Sequence, residues 1–255
     1  MAGALPAAYG FRFEGAPRTP WLAVEGAENW PSVTLELNGV REPEFDLDGL
    51  TARFPADVEH GELVHPWIAR AAVVIAIERG FEVMHAGALV AGDGAWALVG
   101  PKEAGKSTLL AACATAGMTV LTDDTLAMDG DRCLAGPRCL DLREEAAEHY
   151  GATVQVRPET PRRRLTLPPT AGEVRLAGLI HLAWGDGPAL EKLSPGDAVR
   201  RLLRGREATG APRDPVRLVD LAGLPTYELR RPRDWRALAA TADLLRSELG
   251  SSSPV

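Results

Sequence analysis

Gly100-Pro-Lys-Glu-Ala-Gly105-Lys106-Ser107 is the stretch that decides how this 255-residue chain is read. The octet fits G-x-x-x-x-G-K-[ST], with the apolar run Trp96-Ala-Leu-Val99 before it and a helix-forming run, Thr108 to Ala116, after it. Glycines let the backbone curl so that successive N–H groups face one concavity that accepts phosphate oxygens. The helix that follows brings the positive end of its dipole to the same spot. Gly100, Pro101, Lys102, Glu103, Ala104, Gly105, Lys106, Ser107 and Thr108 are therefore the expected nucleotide-binding set. Lys106 reaches the β- and γ-phosphates as a point charge, and Ser107 offers its hydroxyl to Mg²⁺. Glu103 puts a carboxylate in the loop, and it has to point away from the phosphates.

Outward from the loop, Glu82–Ala91 reads as a strand carrying His85, and Gly92-Asp93-Gly94 turns the chain into the strand Ala95–Val99. Downstream, Gly117 ends the helix and Met118–Thr122 is a buried-type strand that delivers Asp123-Asp124. In an open α/β sheet the C-terminal strand ends face the ligand crevice. Two adjacent acids there can divide the work, one holding Mg²⁺ and the other taking a proton from an attacking hydroxyl. The plainer alternatives are an acidic pair capping a turn and a histidine that is merely packed.

The rest of the chain is read more coarsely. Residues 1–64 are rich in Pro, Gly and Glu with short alternating runs such as Ser32-Val-Thr-Leu-Glu-Leu, and form a small β-rich lobe. His65-Pro66 opens an amphipathic helix with Trp67, Ala71, Val74, Ile75 and Ile77 on its apolar face and Gly80 as its stop. Asp129-Gly130-Asp131 marks a hairpin turn, Leu142–Tyr150 a short helix, and Gly178–Trp184 an apolar strand with Leu190–Leu193 pairing nearby. Ser194-Pro-Gly-Asp197 caps a helix to about Arg204. Gly205–Asp214 is a polar loop, Thr226–Leu229 a strand, and Asp234 caps the closing helix. The expected division is a lobe at 1–64, a nucleotide-binding domain at 65–249 and a disordered tail at 250–255.

Composition narrows the function classes. At 45% hydrophobic and 25% charged the chain buries a real core. No apolar run approaches the ~20 residues that span a bilayer, and Met1-Ala-Gly-Ala-Leu-Pro lacks the basic and apolar regions of a secretory signal. Cys113, Cys133 and Cys139 are odd in number and contain no CxxC, so neither a disulfide framework nor a zinc site is indicated. A cytoplasmic protein without membrane attachment is expected. A net charge of −7 argues against nucleic-acid partners. Only Lys102, Lys106 and Lys192 are lysines among 28 basic residues, so a lysine is more informative than an arginine, and two of the three sit in the loop.

His85-Ala-Gly-Ala, the glycine-bounded turn, Gly100-Pro-x-x-x-Gly-Lys-Ser-Thr108 and Leu121-Thr-Asp-Asp124 together resemble, in order and spacing, the HPr kinase/phosphorylase superfamily. More closely, the chain is similar to the HPr-kinase-like serine kinases of lasso-peptide and other ribosomal-peptide biosynthetic clusters. The resemblance is specific over about residues 83–145. It implies an α/β fold with a mixed sheet, related to the HPr kinase and phosphoenolpyruvate carboxykinase type. It also implies ATP- and Mg²⁺-dependent phosphorylation of a serine hydroxyl on a precursor peptide or a small hydroxyl-bearing molecule. Carried over, Asp123 is the base, Asp124 a metal-side carboxylate and His85 a polar group near the transferred phosphate, with the split between the two acids reversible. Relatives in the superfamily form oligomers, which leaves a homo-oligomer open here.

One departure stands out. The family's glycine-containing Glu-Arg-Gly signature has as its nearest counterpart Cys139-Leu-Asp141-Leu-Arg143-Glu144-Glu145, which lacks the glycine. Asp141 and Arg143 are candidates for comparable roles. Arg162-Arg163-Arg164 is a candidate for a guanidinium on the γ-phosphate or a substrate carboxylate, with a solvated loop as the equal alternative. The competing functional class is a nucleotide-gated binding module, or an ATPase without an acceptor.

Overall fold

In the computed structural model, which describes residues 5–156, 160–206 and 215–250, every residue of the strand Gly94–Val99 is buried. That is the mark of a strand paired on both edges and covered on both faces. Its partners are Ala86–Ala91, antiparallel, and Glu173–Trp184, parallel. Thr119–Thr122 pairs antiparallel with the outer edge of Ala86–Ala91, and so runs the same way as Gly94–Val99. On the other side Thr226–Arg231 adds in parallel to Glu173–Trp184, and Ala189–Lys192 closes that edge antiparallel. The sheet is mixed, and the fold is α/β.

This sheet belongs to one of two compact units, Met84–Leu126, Asp131–Cys133 and Val174–Val255. Here the helix Lys106–Thr115 packs on Arg236–Gly250. Arg246 donates from Nη1 to the carbonyl of Ala116 at 2.8 Å, satisfying one of the acceptors that a helix end leaves over. Ser194 caps Pro195–Arg206 as its sequence implied, accepting the N–H of Asp197 at 3.2 Å. The helix Pro215–Gly223 was not foreseen. Part of the expected loop at 205–214 and the tail beyond residue 250 lie outside the described residues. His181, on the Glu173–Trp184 strand, is buried, and its Nε2 has no hydrogen-bond partner among the described residues. Burial, reinforced by the charge of Arg201, lowers its pKa to about 4.

The other unit comprises Met1–Val83, Ala127–Gly130 and Leu134–Glu173. It holds a five-stranded sheet in the order Ala7–Ala8, Phe11–Glu14, Ser32–Leu37, Thr51–Phe54, Glu44–Asp46. The expected break at 64/65 is not where the chain divides, because the helix Ala69–Glu78 stays with the N-terminal lobe. The reason is burial: Phe11, Phe13, Val33 and Phe54 from the strands share one core with Leu63, Ile68 and Ile75 from the helical segment. That segment also starts before His65, at His60–Glu62, and breaks at His65 itself, whose backbone is extended (φ −148, ψ 120).

A second, three-stranded sheet in this unit orders Cys139–Leu142, Arg163–Thr166 and Val154–Gln155. The expected helix at 142–150 is accordingly shorter, Glu144–His149. Antiparallel register sets Asp141 opposite Arg164, and the guanidinium grips the carboxylate with two hydrogen bonds, 2.6 and 2.8 Å. His65 Nδ1 lies 3.1 Å from the same carboxylate, and Arg164 also donates to the Gly61 carbonyl at 2.9 Å. Burial alone would raise the Asp141 pKa, but these partners, Arg164 first and then His65, hold it at about 2.

All three cysteines are buried thiols, and none is in a disulfide. Burial pushes the Cys113 and Cys133 thiols up to about 12. Among the described residues no helix is long and apolar enough to cross a membrane.

Asp141→Ala should cost about 3–5 kcal/mol in denaturant unfolding, since it leaves a buried guanidinium without its counter-ion. A cost below ~1 kcal/mol would show the pair to be energetically idle. His181 gives a second expectation. Its folded pKa lies below the unfolded 6.5, so the unfolded chain binds the proton first and stability drops as pH falls from 6.5 toward 4. Melting temperatures of a His181→Leu variant should be flatter than wild type across that window.

Candidate active site

The strand directions above bring the ends that matter to one edge of the sheet. Val99 leads into the loop, Thr122 into the acids, and Trp184 and Arg231 close the two parallel strands beyond. His85 enters from the start of its strand, because Ala86 pairs with Val99. His85 in fact interrupts the expected continuous strand, which divides into Glu82–Met84 and Ala86–Ala91. The interruption leaves the histidine free of the ladder, at the sheet edge.

The helix after the loop begins at Lys106, two residues earlier than its sequence suggested. Gly105 precedes it in the left-handed region (φ 76, ψ 30), and no side chain caps the helix. The first helical hydrogen bond runs from Leu109 N–H to the Gly105 carbonyl, 3.0 Å. The amides of Lys106, Ser107 and Thr108 are thus the donors that a helix start turns outward. Gly105 cannot be replaced cheaply: a Cβ there would lie 2.6 Å from Arg231 Nη2 as well as demand positive φ.

Lys106 is buried, and its ammonium turns back on the loop, donating to the carbonyls of Gly100 (2.7 Å) and Pro101 (3.3 Å). Burial lowers its pKa from the ordinary lysine value, while the charges of Asp123 and then Asp124 work the other way. Those two acids are therefore close enough to Lys106 to act on it. Pro101, Lys102 and Glu103 are exposed, Ala104 is buried, and Ser107 and Thr108 are half-buried. Glu103 takes positive φ (69°), a conformation that costs a non-glycine residue about 1–2 kcal/mol.

Asp123 and Asp124 form a tight turn rather than a strand continuation. Asp123 Oδ1 accepts the N–H of Asp124 at 2.9 Å, and its carbonyl accepts the N–H of Thr125 at 2.7 Å. Thr122 Oγ1 donates to the Thr125 carbonyl at 2.6 Å. Asp124 is exposed and also has positive φ (65°). Its carbonyl lies 2.9 Å from His85 Nδ1 and its Oδ1 3.4 Å away. A carbonyl oxygen only accepts, so Nδ1 carries the hydrogen, and in the neutral ring Nε2 is the lone-pair nitrogen. Gly87 makes room for the helix beside this turn, because a Cβ there would sit 2.5 Å from Leu110 Cδ1.

Two further residues belong to the site and were not foreseen. Arg231 is buried and donates from Nη2 to the carbonyls of Ala104 (2.6 Å) and Gly105 (3.2 Å), bracing the loop from behind. Its guanidinium lies over the ring of Trp184 at 4.4 Å. An arginine is a poor signal in a chain so rich in them, and only the pairing of Trp184 with Arg231 reveals the role.

Asp141 and Arg164 bind one another inside the other unit, and the arginine run is partly strand, Arg163–Thr166, rather than a loop. Arg162 donates to the Asp141 carbonyl at 3.1 Å. Arg143 is exposed at the start of Glu144–His149. Among the described residues no group of three or more His, Cys, Asp or Glu could hold a metal. Mg²⁺ needs no such cage, since one or two protein oxygens together with phosphates suffice. Ser107 and Asp124 carry oxygens of the kind such a site uses.

Comparison with known proteins adds little. No family model matches the chain. No curated protein matches it either. Among solved structures, the HPr(Ser) kinase/phosphatase from Coxiella burnetii aligns with 65% of this chain and 95% of its own at 13% identity, with a TM-score of 0.35. A score that low does not establish a common fold.

Arg231→Ala should loosen the loop without unfolding the sheet. Hydrogen–deuterium exchange of the 100–107 amides is expected to quicken about tenfold, the equivalent of one or two lost hydrogen bonds. Unchanged exchange there would mean that the arginine does not brace the loop.

Proposed function

We propose that the chain is an ATP-dependent kinase that transfers the γ-phosphate to a serine-type hydroxyl, on a precursor peptide or another small hydroxyl-bearing substrate. The observation that carries this reading is the meeting of Lys106, Asp123, Asp124 and His85 at one sheet edge, beside a helix start whose amides face outward. A phosphate loop alone fits any nucleotide binder. Acids within electrostatic reach of its lysine supply what transfer additionally needs.

In this reading the 100–107 amides and Lys106 hold the β- and γ-phosphates and draw off the charge that builds on them, the dominant contribution in phosphoryl transfer. Asp123 takes the proton of the attacking hydroxyl. The new O–P bond forms as the bridge to the β-phosphate breaks, and ADP departs with that electron pair. His85, fixed through Nδ1 to the Asp124 carbonyl, presents Nε2 to the acceptor side. Ser107 and Asp124 would hold Mg²⁺, which screens phosphate charge when bound. Lys106 leaves its loop carbonyls for the phosphates, exchanging two neutral acceptors for a charged one. The substrate class and the resemblance to ribosomal-peptide kinases rest on the sequence motifs.

The test is transfer of label from γ-labelled ATP to candidate precursor peptides. Lys106→Ala should abolish it. Asp123→Asn should cut turnover by about 10²-fold or more while ATP affinity changes little, because a base acts in the transition state. Normal transfer by the Asn variant would remove Asp123 from the role. Tight ATP binding without transfer to any acceptor would favour the nucleotide-gated module, and phosphate release alone an ATPase.

A further inference from the structure

The strand order that sets the acids and His85 on one flank of the loop sets Trp184 on the other. Thr119–Thr122 and Ala86–Ala91 lie to one side of Gly94–Val99, and Glu173–Trp184 lies to the opposite side. His181 pairs with Val99, so Trp184 reaches three residues past the sheet level at which the loop begins. The end of its ring, Cη2, lies 3.5 Å from where a Cβ on Gly105 would stand. The indole is therefore beside the phosphate loop, across it from the reactive side chains.

Its surroundings are unusual for a tryptophan. The side chain is 44% exposed, yet it is not loose, because the guanidinium of buried Arg231 lies 4.4 Å from the ring centroid. The exposed Arg233 lies 5.8 Å from the same centroid. An apolar ring left in water and held by a fixed cation has already lost the freedom that binding would otherwise remove. A flat partner of aromatic character stacks on the exposed part of such a ring at little further cost. The three strand steps from Thr119–Thr122 to Glu173–Trp184 span roughly 14 Å, the scale of an extended nucleoside triphosphate. With its γ-phosphate toward Asp123 and its middle phosphates on the loop, the base of such a ligand would come to Trp184.

We infer that Trp184 is the nucleobase platform of this site, with Arg231 serving at once as the brace of the phosphate loop and the backing of the platform. The inference rests on the phosphate-loop reading above and adds to it the end of the ligand that the loop does not touch. Ring stacking tolerates any base, so it supplies affinity for a nucleotide over a bare polyphosphate rather than choice among bases.

Calorimetric titration of the full chain with ATP and with inorganic tripolyphosphate, both with Mg²⁺, separates the two claims. Trp184→Ala should weaken ATP about tenfold or more while tripolyphosphate stays within about twofold, and Trp184→Phe should recover most of the loss. Lys106→Ala should weaken both ligands together. Equal losses for the two ligands in Trp184→Ala would show that the ring only props the loop, and no loss for either would show that it does nothing there. Either result overturns the platform and leaves the loop standing. Failure of the wild-type chain to bind ATP or tripolyphosphate would overturn the loop, and the platform with it.

Discussion

A helix cannot accept its own first amides. Lys106, Ser107 and Thr108 begin a helix whose preceding residue is a glycine in the left-handed region, with no side chain to cap it. The neighbouring cations supply further donors at this end of the sheet, not acceptors for those amides. Lys106 folds over the loop carbonyls, Arg231 pins the far side of the same loop, and two acids stand where their charge reaches the lysine. The site is an arrangement of positive donors, with two acids whose charge opposes the lowering of the Lys106 pKa by burial.

Arginine plays several parts in this molecule, and position rather than identity distinguishes them. Arg164 neutralises a buried aspartate, Arg246 closes a helix end, and Arg231 holds loop carbonyls while lying on an indole. Arg201 and Arg230 both meet Glu228, and Arg230 is also joined to Glu191. The planar fork suits each of these tasks, which a compact ammonium would perform less well. The one lysine placed among the candidate reactive groups, Lys106, donates to two loop carbonyls.

The loop, its flanking strand and helix, and the acids after Thr122 were legible in the sequence because each depends on neighbours in the chain. A glycine turn, an apolar run and an adjacent acidic pair are local facts. Arg231 and Trp184 were not legible, since they approach the loop only through a parallel pairing set by residues far from it in sequence. The first-lobe boundary was misplaced for a related reason. Helical periodicity shows that Ile75 and its neighbours must be buried but not which sheet buries them, and Phe11, Phe13 and Phe54 proved to be the partners. Asp141 looked like a substitute for a missing signature because its neighbours in sequence are charged. Antiparallel register, which no local pattern discloses, gives it to Arg164.

The three cysteines carry a practical consequence. All are enclosed, and two have thiols pushed to about 12, so at neutral pH those two hold almost no thiolate, the form that reacts with electrophiles. A cysteine engineered onto the surface would be alkylated long before either of them. Fluorophores or spin labels can then be attached at chosen points with the native sulfur atoms left in place.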